Sequence, residues 1–361
     1  MVNLDDIQIY DKIEPENMRG HLHALPQQCR SAWDKATKFK LPKDYADVDK
    51  VVILGMGGSA IGGDLVRSLF LSQKKPIIFV SREYELPAFV DDHTLVIASS
   101  YSGNTEETLS AFSQSLKKKC KKLAMTTGGE LKGIAERTGV PVFVIDYKGQ
   151  PRAAVGYGVM SLIAFLQTLR LVKNQSSEVE SMTKELDRLI KELQETVPGS
   201  SNRAKQLAAK FHGKLAVIYG AGILSEVAHR WKTQINENGK SWAFYETFSE
   251  LDHNSIVGYQ FPRELVQSIY VVMLRSSVLN PRIMLRYRIT GELLEQNGIG
   301  HETVESRAKG ALSQMMGLIY LGDWVSYYIA ILNEIDPTPV KVIEYLKKRL
   351  SEVKKGGGDH D

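Results

Sequence analysis

The chain has 361 residues and a formal net charge of +4, with 43% hydrophobic and 24% charged residues. These values are ordinary for a globular protein, and the length suits about two domains. Cys29 and Cys120 form neither a CxxC pair nor a disulfide framework, which excludes a small disulfide-stapled fold. The N-terminal residues lack the features of a signal peptide, and we expect no membrane helix of about 18 uncharged apolar residues. The composition therefore predicts a cytoplasmic protein.

The first half of the chain alternates between strands and helices after a start that contains no predicted strand. We predict strands at 51–54, 76–80, 94–99, 123–126 and 140–145, and helices at 60–71, 105–116, 131–137 and 156–172. Alternation at this spacing is typical of βαβ units and predicts a parallel sheet. The basic run at 117–122 ends one of these helices, where cations suit the helix dipole, so we expect no nucleic-acid partner.

The second half of the chain follows a Pro/Gly/Ser-rich cluster at 196–202, within a polar helical region at 173–205. Such a cluster favours a domain boundary, so we predict one domain over 1–198 and another over 199–361. The second domain repeats the strand, glycine turn and helix of the first. Its predicted elements are strands at 215–220, 241–245 and 268–274, helices at 224–236, 302–333 and 338–350, and a disordered tail at 356–361.

Two turns rich in glycine and hydroxyl groups follow predicted strands of the first domain. GMGGS at 55–59 contains Gly58 and Ser59, and SYSGNT at 100–105 contains Ser100, Ser102 and Thr105. A glycine turn that opens a helix exposes backbone N–H groups, which bind anions and especially phosphate. Because the carboxyl ends of parallel strands meet at one edge of a sheet, the two turns are expected to lie side by side. The sequence therefore predicts a site for a small phosphorylated molecule.

Two other interpretations of these turns remain open from the residues alone. GMGGSA fits the dinucleotide fingerprint G-x-G-x-x-A, which would indicate a nicotinamide-dependent oxidoreductase. The hydroxyls of the second turn could instead cap a helix, because Asn104 and Thr105 precede Glu106 and Glu107. A dinucleotide site has no need of the hydroxyl-rich second turn, which favours a compact phosphate.

Several further motifs follow these turns in a fixed order. They are SYSGNTEET at 100–108, QPRAAVGY at 150–157, NEN at 236–238, LDHN at 251–254, GDWVSYY at 322–328 and DPTPV at 336–340. Together with GMGGS they resemble the bifunctional phosphoglucose/phosphomannose isomerases, a branch of the sugar isomerase (SIS) domain family. The resemblance covers residues 49–350. It implies an α/β protein with two flavodoxin-like SIS domains, each a parallel sheet flanked by helices, plus N-terminal and C-terminal helical segments.

The resemblance also implies a reaction. Members of this family are aldose–ketose isomerases that interconvert glucose 6-phosphate or mannose 6-phosphate with fructose 6-phosphate through a cis-enediol. No metal and no organic cofactor is expected, and the implied assembly is a homodimer. The alternative is a non-catalytic sugar-phosphate-sensing SIS module, which would need the phosphate turns but not a catalytic set.

Glu237 is the family's match for the catalytic base. It lies near the end of a predicted helix, before Gly239, a candidate for the glycine that ends it. Glu246 and Glu250 are rival acids in the same region. His253 matches the histidine that takes part in ring opening and, in relatives, reaches the partner subunit's site.

The expected site also includes the neighbours of His253, an arginine and a C-terminal lysine. Asp252 and Asn254 flank His253 and could orient its imidazole. The resemblance implies that Arg152 stabilises the enediolate as a preorganised cation. Lys347 and Lys348 compete for the family's C-terminal lysine, and helical spacing places Lys347 on the apolar face of the last helix.

Overall fold

The computed structural model describes residues 2–353, so the tail at 356–361 lies outside the described part of the chain. Nine strands alternate with helices in the described residues. The strands are β1 (Lys50–Leu54), β2 (Ile77–Ser81), β3 (Thr94–Ser99), β4 (Lys121–Thr126), β5 (Val142–Val144), β6 (Leu215–Gly220), β7 (Ala243–Thr247), β8 (Ile269–Arg275) and β9 (Gly300–Glu305).

Thirteen α-helices accompany these strands between residues 2 and 353. They are α1 (Gln8–Ile13), α2 (Met18–Thr37), α3 (Gly57–Phe70), α4 (Glu106–Ser115), α5 (Gly129–Arg137), α6 (Val155–Thr168), α7 (Ser176–Leu193), α8 (Arg203–Phe211), α9 (Ser225–Glu237), α10 (Arg263–Val266), α11 (Pro281–Gln296), α12 (Ala311–Leu332) and α13 (Lys341–Val353).

The strands form two separate sheets in which every pairing is parallel. The first sheet has the order β2-β1-β3-β4-β5 and the second the order β7-β6-β8-β9. The order of the first sheet is that of flavodoxin-like folds, and the second sheet repeats its first four strands. β3 is buried along its whole length, as a central strand with helices on both faces should be. The predicted α/β fold with two sheets is confirmed.

One predicted element was wrong. We expected a single helix over 302–333, but this stretch contains β9 followed by α12. β9 pairs with β8 from Tyr270 opposite Gly300 to Arg275 opposite Glu305. A lone edge strand with little apolar alternation depends on this pairing with a distant neighbour, so its own sequence does not reveal it.

The helix α12 runs through the centre of the molecule. It is 22 residues long and apolar enough to cross a membrane by length and composition alone, but Asp323 near its centre leaves it without a run of 18 uncharged residues. All of its apolar window is buried inside the protein, where it packs against α7, α8 and α9. A helix that is apolar on all sides suits the core between two domains. Because α7 precedes the expected boundary at 198/199 and packs on α12, the two predicted domains share a core.

Two glycines bring α3 into close contact with α6. A Cβ atom on Gly62 would lie 2.9 Å from the carbonyl carbon of Gly158, whereas one on Gly158 would lie 3.7 Å from the Cα of Gly62. The first distance requires the backbones to move apart, and the second is ordinary van der Waals contact. This asymmetry matters because α3 begins within the glycine-rich turn at 55–59, which we call the first phosphate turn after its predicted ligand.

We expect Gly62→Ala to lower the free energy of unfolding by about 1–3 kcal/mol, the usual cost of overpacking. Gly158→Ala should change it little or raise it by up to about 1 kcal/mol, because alanine is the better helix former. Urea denaturation of both variants beside the wild type measures the difference. Equal destabilisation by the two substitutions would contradict the proposed close approach.

Candidate active site

Two helices begin at the carboxyl edge of the first sheet without a side-chain cap. α3 follows β1 and α4 follows β3, and neither N-cap residue, Met56 or Thr105, makes a side-chain hydrogen bond to its helix. The first N–H groups of each helix are thus left for another acceptor. The partial positive charge of a helix N-terminus favours an anion as that acceptor.

The hydroxyl groups of the two turns hold these helix ends together. The Ser59 hydroxyl accepts a hydrogen bond from the backbone N–H of Tyr101 at 3.1 Å. Within the second turn, the hydroxyls of Ser100 and Thr105 are 2.9 Å apart. Ser102 is exposed at the surface of the same turn. Thr105 therefore uses its side chain within the turn, and the capping interpretation is wrong for this residue.

A cavity of about 170 Å³ lies between the first phosphate turn and α9. Its polar lining comes from both halves of the chain. The lining residues are Gly57, Gly58, Ile61, Arg82, Arg152, His229, Arg230, Thr233, Gln234 and Glu237. A small, polar and partly enclosed space of this kind is suited to a compact polar ligand.

The helices α3 and α9 lie side by side in opposite directions along this cavity. The start of α3, at Gly57, shares the cavity with the end of α9, at Glu237. At the far ends of the same two helices, Arg67 and Glu226 form an ion pair of 2.5 Å. The positive end of one helix dipole therefore faces the negative end of the other. A ligand between them would have its anionic group near α3 and its other end near Glu237.

Glu237 is the last residue of α9, and its side chain is 28% exposed. The prediction that Gly239 is the glycine that ends this helix is wrong, because Gly239 does not have left-handed backbone. Lys240 is the residue with left-handed backbone, at a φ of 51°. Gly239 is instead required by space, because a Cβ there would lie 2.9 Å from the Cγ2 of Ile329 in α12.

Arg152 is 2% exposed and reaches from the turn before α6 into the second half of the chain. Its guanidinium donates from Nε to Asn238 Oδ1 at 2.6 Å. From Nη2 it donates to the carbonyls of Pro337 and Thr338, both at 2.8 Å. Its Nη1 lies 3.4 Å from Glu237 Oε2. The structure thus joins Arg152 to Glu237.

These contacts leave one N–H group of the Arg152 guanidinium, on Nη1, available to a ligand. Arginine carries five N–H donors, and the described partners occupy Nε, both positions on Nη2 and one on Nη1. Burial lowers the pKa of Arg152, while the carboxylate of Glu237 opposes that shift. Since the ordinary pKa of arginine is far above neutral, the group stays charged. It is a fixed cation beside Glu237.

A buried ion pair between Arg230 and Asp323 holds the backbone of Arg152. Arg230 Nη2 lies 3.0 Å from Asp323 Oδ1 and 2.9 Å from Oδ2, and it also donates to the backbone carbonyl of Arg152 at 3.1 Å. Arg230 is 1% exposed and Asp323 is 4% exposed. Burial raises the pKa of Asp323, and the charge of Arg230 opposes that rise. This pair ties α9, α12 and the turn that carries Arg152 to one another.

Relatives of known activity match nearly the whole chain. The bifunctional phosphoglucose/phosphomannose isomerase of Caldicellulosiruptor bescii is 43% identical over 334 residues, which are 92% of this chain and 98% of that protein. The enzyme of the same name from Thermoplasma acidophilum is 36% identical over 334 residues, 92% of this chain and 100% of that protein. This chain belongs to the bifunctional phosphoglucose/phosphomannose isomerase family.

Two other comparisons agree with this membership. A family model described as the bacterial phospho-glucose isomerase C-terminal SIS domain matches residues 200–350. Among solved structures, the C-terminal domain of glucosamine-fructose-6-phosphate aminotransferase from Francisella tularensis superposes with a TM-score of 0.68 at 14% identity. That alignment covers 89% of this chain and 98% of that one. At such low identity, the likeness shows the fold alone.

Gly58, Arg152 and Glu237 are the predicted site residues that line the cavity, and the other predicted site residues do not line it: Ser59, Ser100, Ser102, Thr105, His253 and Lys347. His253 is exposed at the end of a short 3-10 turn, and Lys347 is exposed on α13. The rival acid Glu246 accepts a hydrogen bond from Ser255 at 3.1 Å, and Glu250 accepts one from Asn254 at 2.7 Å. Neither acid lines the cavity that contains Glu237. The roles of His253 and Lys347 stay predictions.

The expected orientation of His253 by its neighbours is not what the described residues show. The Asp252 carboxylate pairs with Arg286 at 2.9 Å and accepts from the Thr290 hydroxyl at 3.1 Å. Asn254 uses its amide group on Glu250 and its carbonyl oxygen on the backbone of Ser255. Both flanking side chains are thus committed to other partners, Asp252 to residues of α11 and Asn254 to residues of its own turn.

Several residues that line the cavity were not predicted from the sequence. His229, Thr233 and Glu237 recur at intervals of four along α9, which places them on one face of the helix. That spacing was readable from the sequence once Glu237 had been selected. Arg82 follows β2 at the carboxyl edge of the first sheet, and it had no comparable motif around it.

A cluster of ionisable side chains lies beside the cavity. Single ligand atoms of Asp64, Glu226 and His229 are within 4.8 Å of one another, a spacing compatible with a metal. However, Asp64 pairs with Arg82, and Glu226 pairs with Arg67. These arginines already supply the positive charge that two carboxylates require. The cluster is therefore explained as an ion-pair network that joins α3 to α9.

Proposed function

We propose that this chain interconverts glucose 6-phosphate or mannose 6-phosphate with fructose 6-phosphate. The observation that carries the proposal is the opposition of Glu237 and the α3 N-terminus across a cavity of about 170 Å³, with Arg152 Nη1 3.4 Å from the carboxylate. A phosphate at the turns of Ser59 and Ser100 would anchor one end of the sugar. The other end would then lie near the base and the cation.

The proposed chemistry is a proton transfer through a cis-enediol. The Glu237 carboxylate removes the proton from C2 of the open-chain aldose, and the C–H electrons form the C1=C2 double bond. Negative charge that develops on the carbonyl oxygen O1 is stabilised by the Arg152 guanidinium. Glu237 then returns the proton to C1, while the O2 hydroxyl proton passes to O1 and C2 becomes the ketone. Both aldoses share one enediol because they differ only at C2.

The remaining parts of the proposal come from the family resemblance. We propose that His253 opens the sugar ring from the partner subunit of a homodimer, which is consistent with its exposed position here. We propose that Lys347 reaches a sugar-binding site by way of α13, whose first residues line the groove beside Glu237. The protein is proposed to act in the cytoplasm, with its domains divided at 198/199.

The test is the formation of fructose 6-phosphate from each aldose, measured with and without EDTA. We expect turnover of both substrates that EDTA does not reduce. Loss of activity in EDTA would instead assign a catalytic metal, and the cluster of Asp64, Glu226 and His229 would be the first place to look. No turnover of either aldose, together with binding of the sugar phosphate, would favour the sensing module.

A further inference from the structure

Lys240 joins the end of α9 to the segment that follows α12. Its ammonium group donates to the carbonyl of Glu237 at 2.5 Å and to the carbonyl of Pro337 at 2.9 Å. The Pro337 carbonyl also accepts from Arg152 Nη2 at 2.8 Å. Lys240 and Arg152 therefore hold the same peptide group from two sides.

The backbone of Lys240 indicates that this side chain is needed where it lies. Its φ of 51° is in the left-handed region, which glycine and asparagine adopt far more readily than lysine. Gly239, one residue earlier, is not in that region. Unfavourable backbone of this kind persists where the surrounding structure requires it, and it is common at functional sites.

The charges that face Lys240 come from three elements. Arg152 approaches from the turn before α6, Glu237 from α9 and Asp336 from the segment after α12. Lys240 is exposed as a residue, but partial burial of its ammonium group, followed by the charge of Arg152, lowers the pKa of Lys240 to about 8, and the two acids oppose the shift. Two further lysines, Lys232 and Lys341, line the groove beside Glu237 that Lys240 also lines.

We propose that Lys240 is a positioning residue for the isomerase reaction, whose ammonium group holds Glu237 and the Pro337 peptide in register with Arg152. This inference rests on the proposed function. The ammonium makes two charge-assisted hydrogen bonds to carbonyls, and the neutral amine would make weaker ones. Deprotonation would therefore loosen the segment that Arg152 uses to keep its guanidinium fixed, and the rate would fall as the pH rises.

The experiment measures kcat for fructose 6-phosphate formation from neutral to alkaline pH in the wild type, Lys240→Arg and Lys240→Met. In the wild type, we expect kcat to fall through an apparent pKa of about 8. Lys240→Arg stays charged throughout and should lose this alkaline fall. Lys240→Met should be about tenfold slower at neutral pH, as for a misplaced catalytic group. It should show no fall in kcat near the apparent pKa of about 8 that the wild type shows.

Lys232→Met is the matched control, because Lys232 lines the same groove and no hydrogen bond or ion pair of its side chain is described between residues 2 and 353. It should keep the wild-type rate and the wild-type pH profile. If Lys240→Met does not fold, as judged by thermal melting, the profile of Lys240→Arg decides alone. An alkaline fall that persists in Lys240→Arg, or none in the wild type, overturns the inference. An inactive wild type overturns the proposed function as well, which separates the two failures.

Discussion

Glu237→Gln is expected to abolish the exchange of the C2 proton of glucose 6-phosphate and mannose 6-phosphate, with a fall in kcat of about 10³-fold or more. The amide has the size of the carboxylate but cannot accept the proton. Its oxygen can still accept a hydrogen bond from Arg152, so the local packing at the end of α9 should survive. The substitution therefore removes the chemistry with little change of shape.

Proton NMR in D₂O measures this exchange directly, because loss of the C2 signal reports each proton abstraction. Glu246→Gln and Glu250→Gln are the controls, since these acids lie in the same region but do not line the cavity. Both should exchange the proton at nearly the wild-type rate. Loss of exchange in either control, with exchange retained in Glu237→Gln, would transfer the role of base to the control residue.

Asp323→Ala is expected to have the largest effect on stability. Asp323 is the partner of Arg230, and both side chains are almost entirely buried. Removing the carboxylate leaves the guanidinium uncompensated inside the core, which typically costs about 3–5 kcal/mol. We expect the free energy of unfolding to fall by that amount in urea denaturation. Isomerase activity should fall with it, because Arg230 also holds the backbone of Arg152.

Two further variants test the cause of this loss. Asp323→Met combined with Arg230→Met removes both charges together, and it should recover much of the lost stability. Glu180→Ala breaks an exposed ion pair with Lys184 and should leave the free energy of unfolding nearly unchanged. A double variant no more stable than Asp323→Ala alone would show that packing, rather than the unpaired charge, explains the loss.

Much of the fold could be predicted because its signals are local. β3 has the bounds that its apolar run predicts, and α3 begins at the glycine turn that follows β1. The repeat of a strand, turn and helix predicted a second sheet, and the two sheets do share a strand order. β9 was misread as helix because its stability comes from pairing with β8 and not from its own residues.

The candidate site likewise combines features with local sequence signals and contacts that depend on the fold. The sequence alone predicted the two turns as phosphate-binding, since glycine, serine and threonine after a buried strand have a chemistry that does not depend on distant residues. It also singled out Arg152 and Glu237, through motifs that resemble those of a known family. What it could not supply was their contact, because they are separated by more than eighty residues along the chain and meet only in the folded protein.

Only the tertiary structure decided how the cavity is built. The antiparallel arrangement of α3 and α9 places a helix N-terminus opposite a carboxylate, and it brings Arg82 and His229 to the same space. Lys240 likewise gains its position from a carbonyl in another segment. Hydrogen bonds and ion pairs between distant segments depend on packing, so these roles follow from the folded chain.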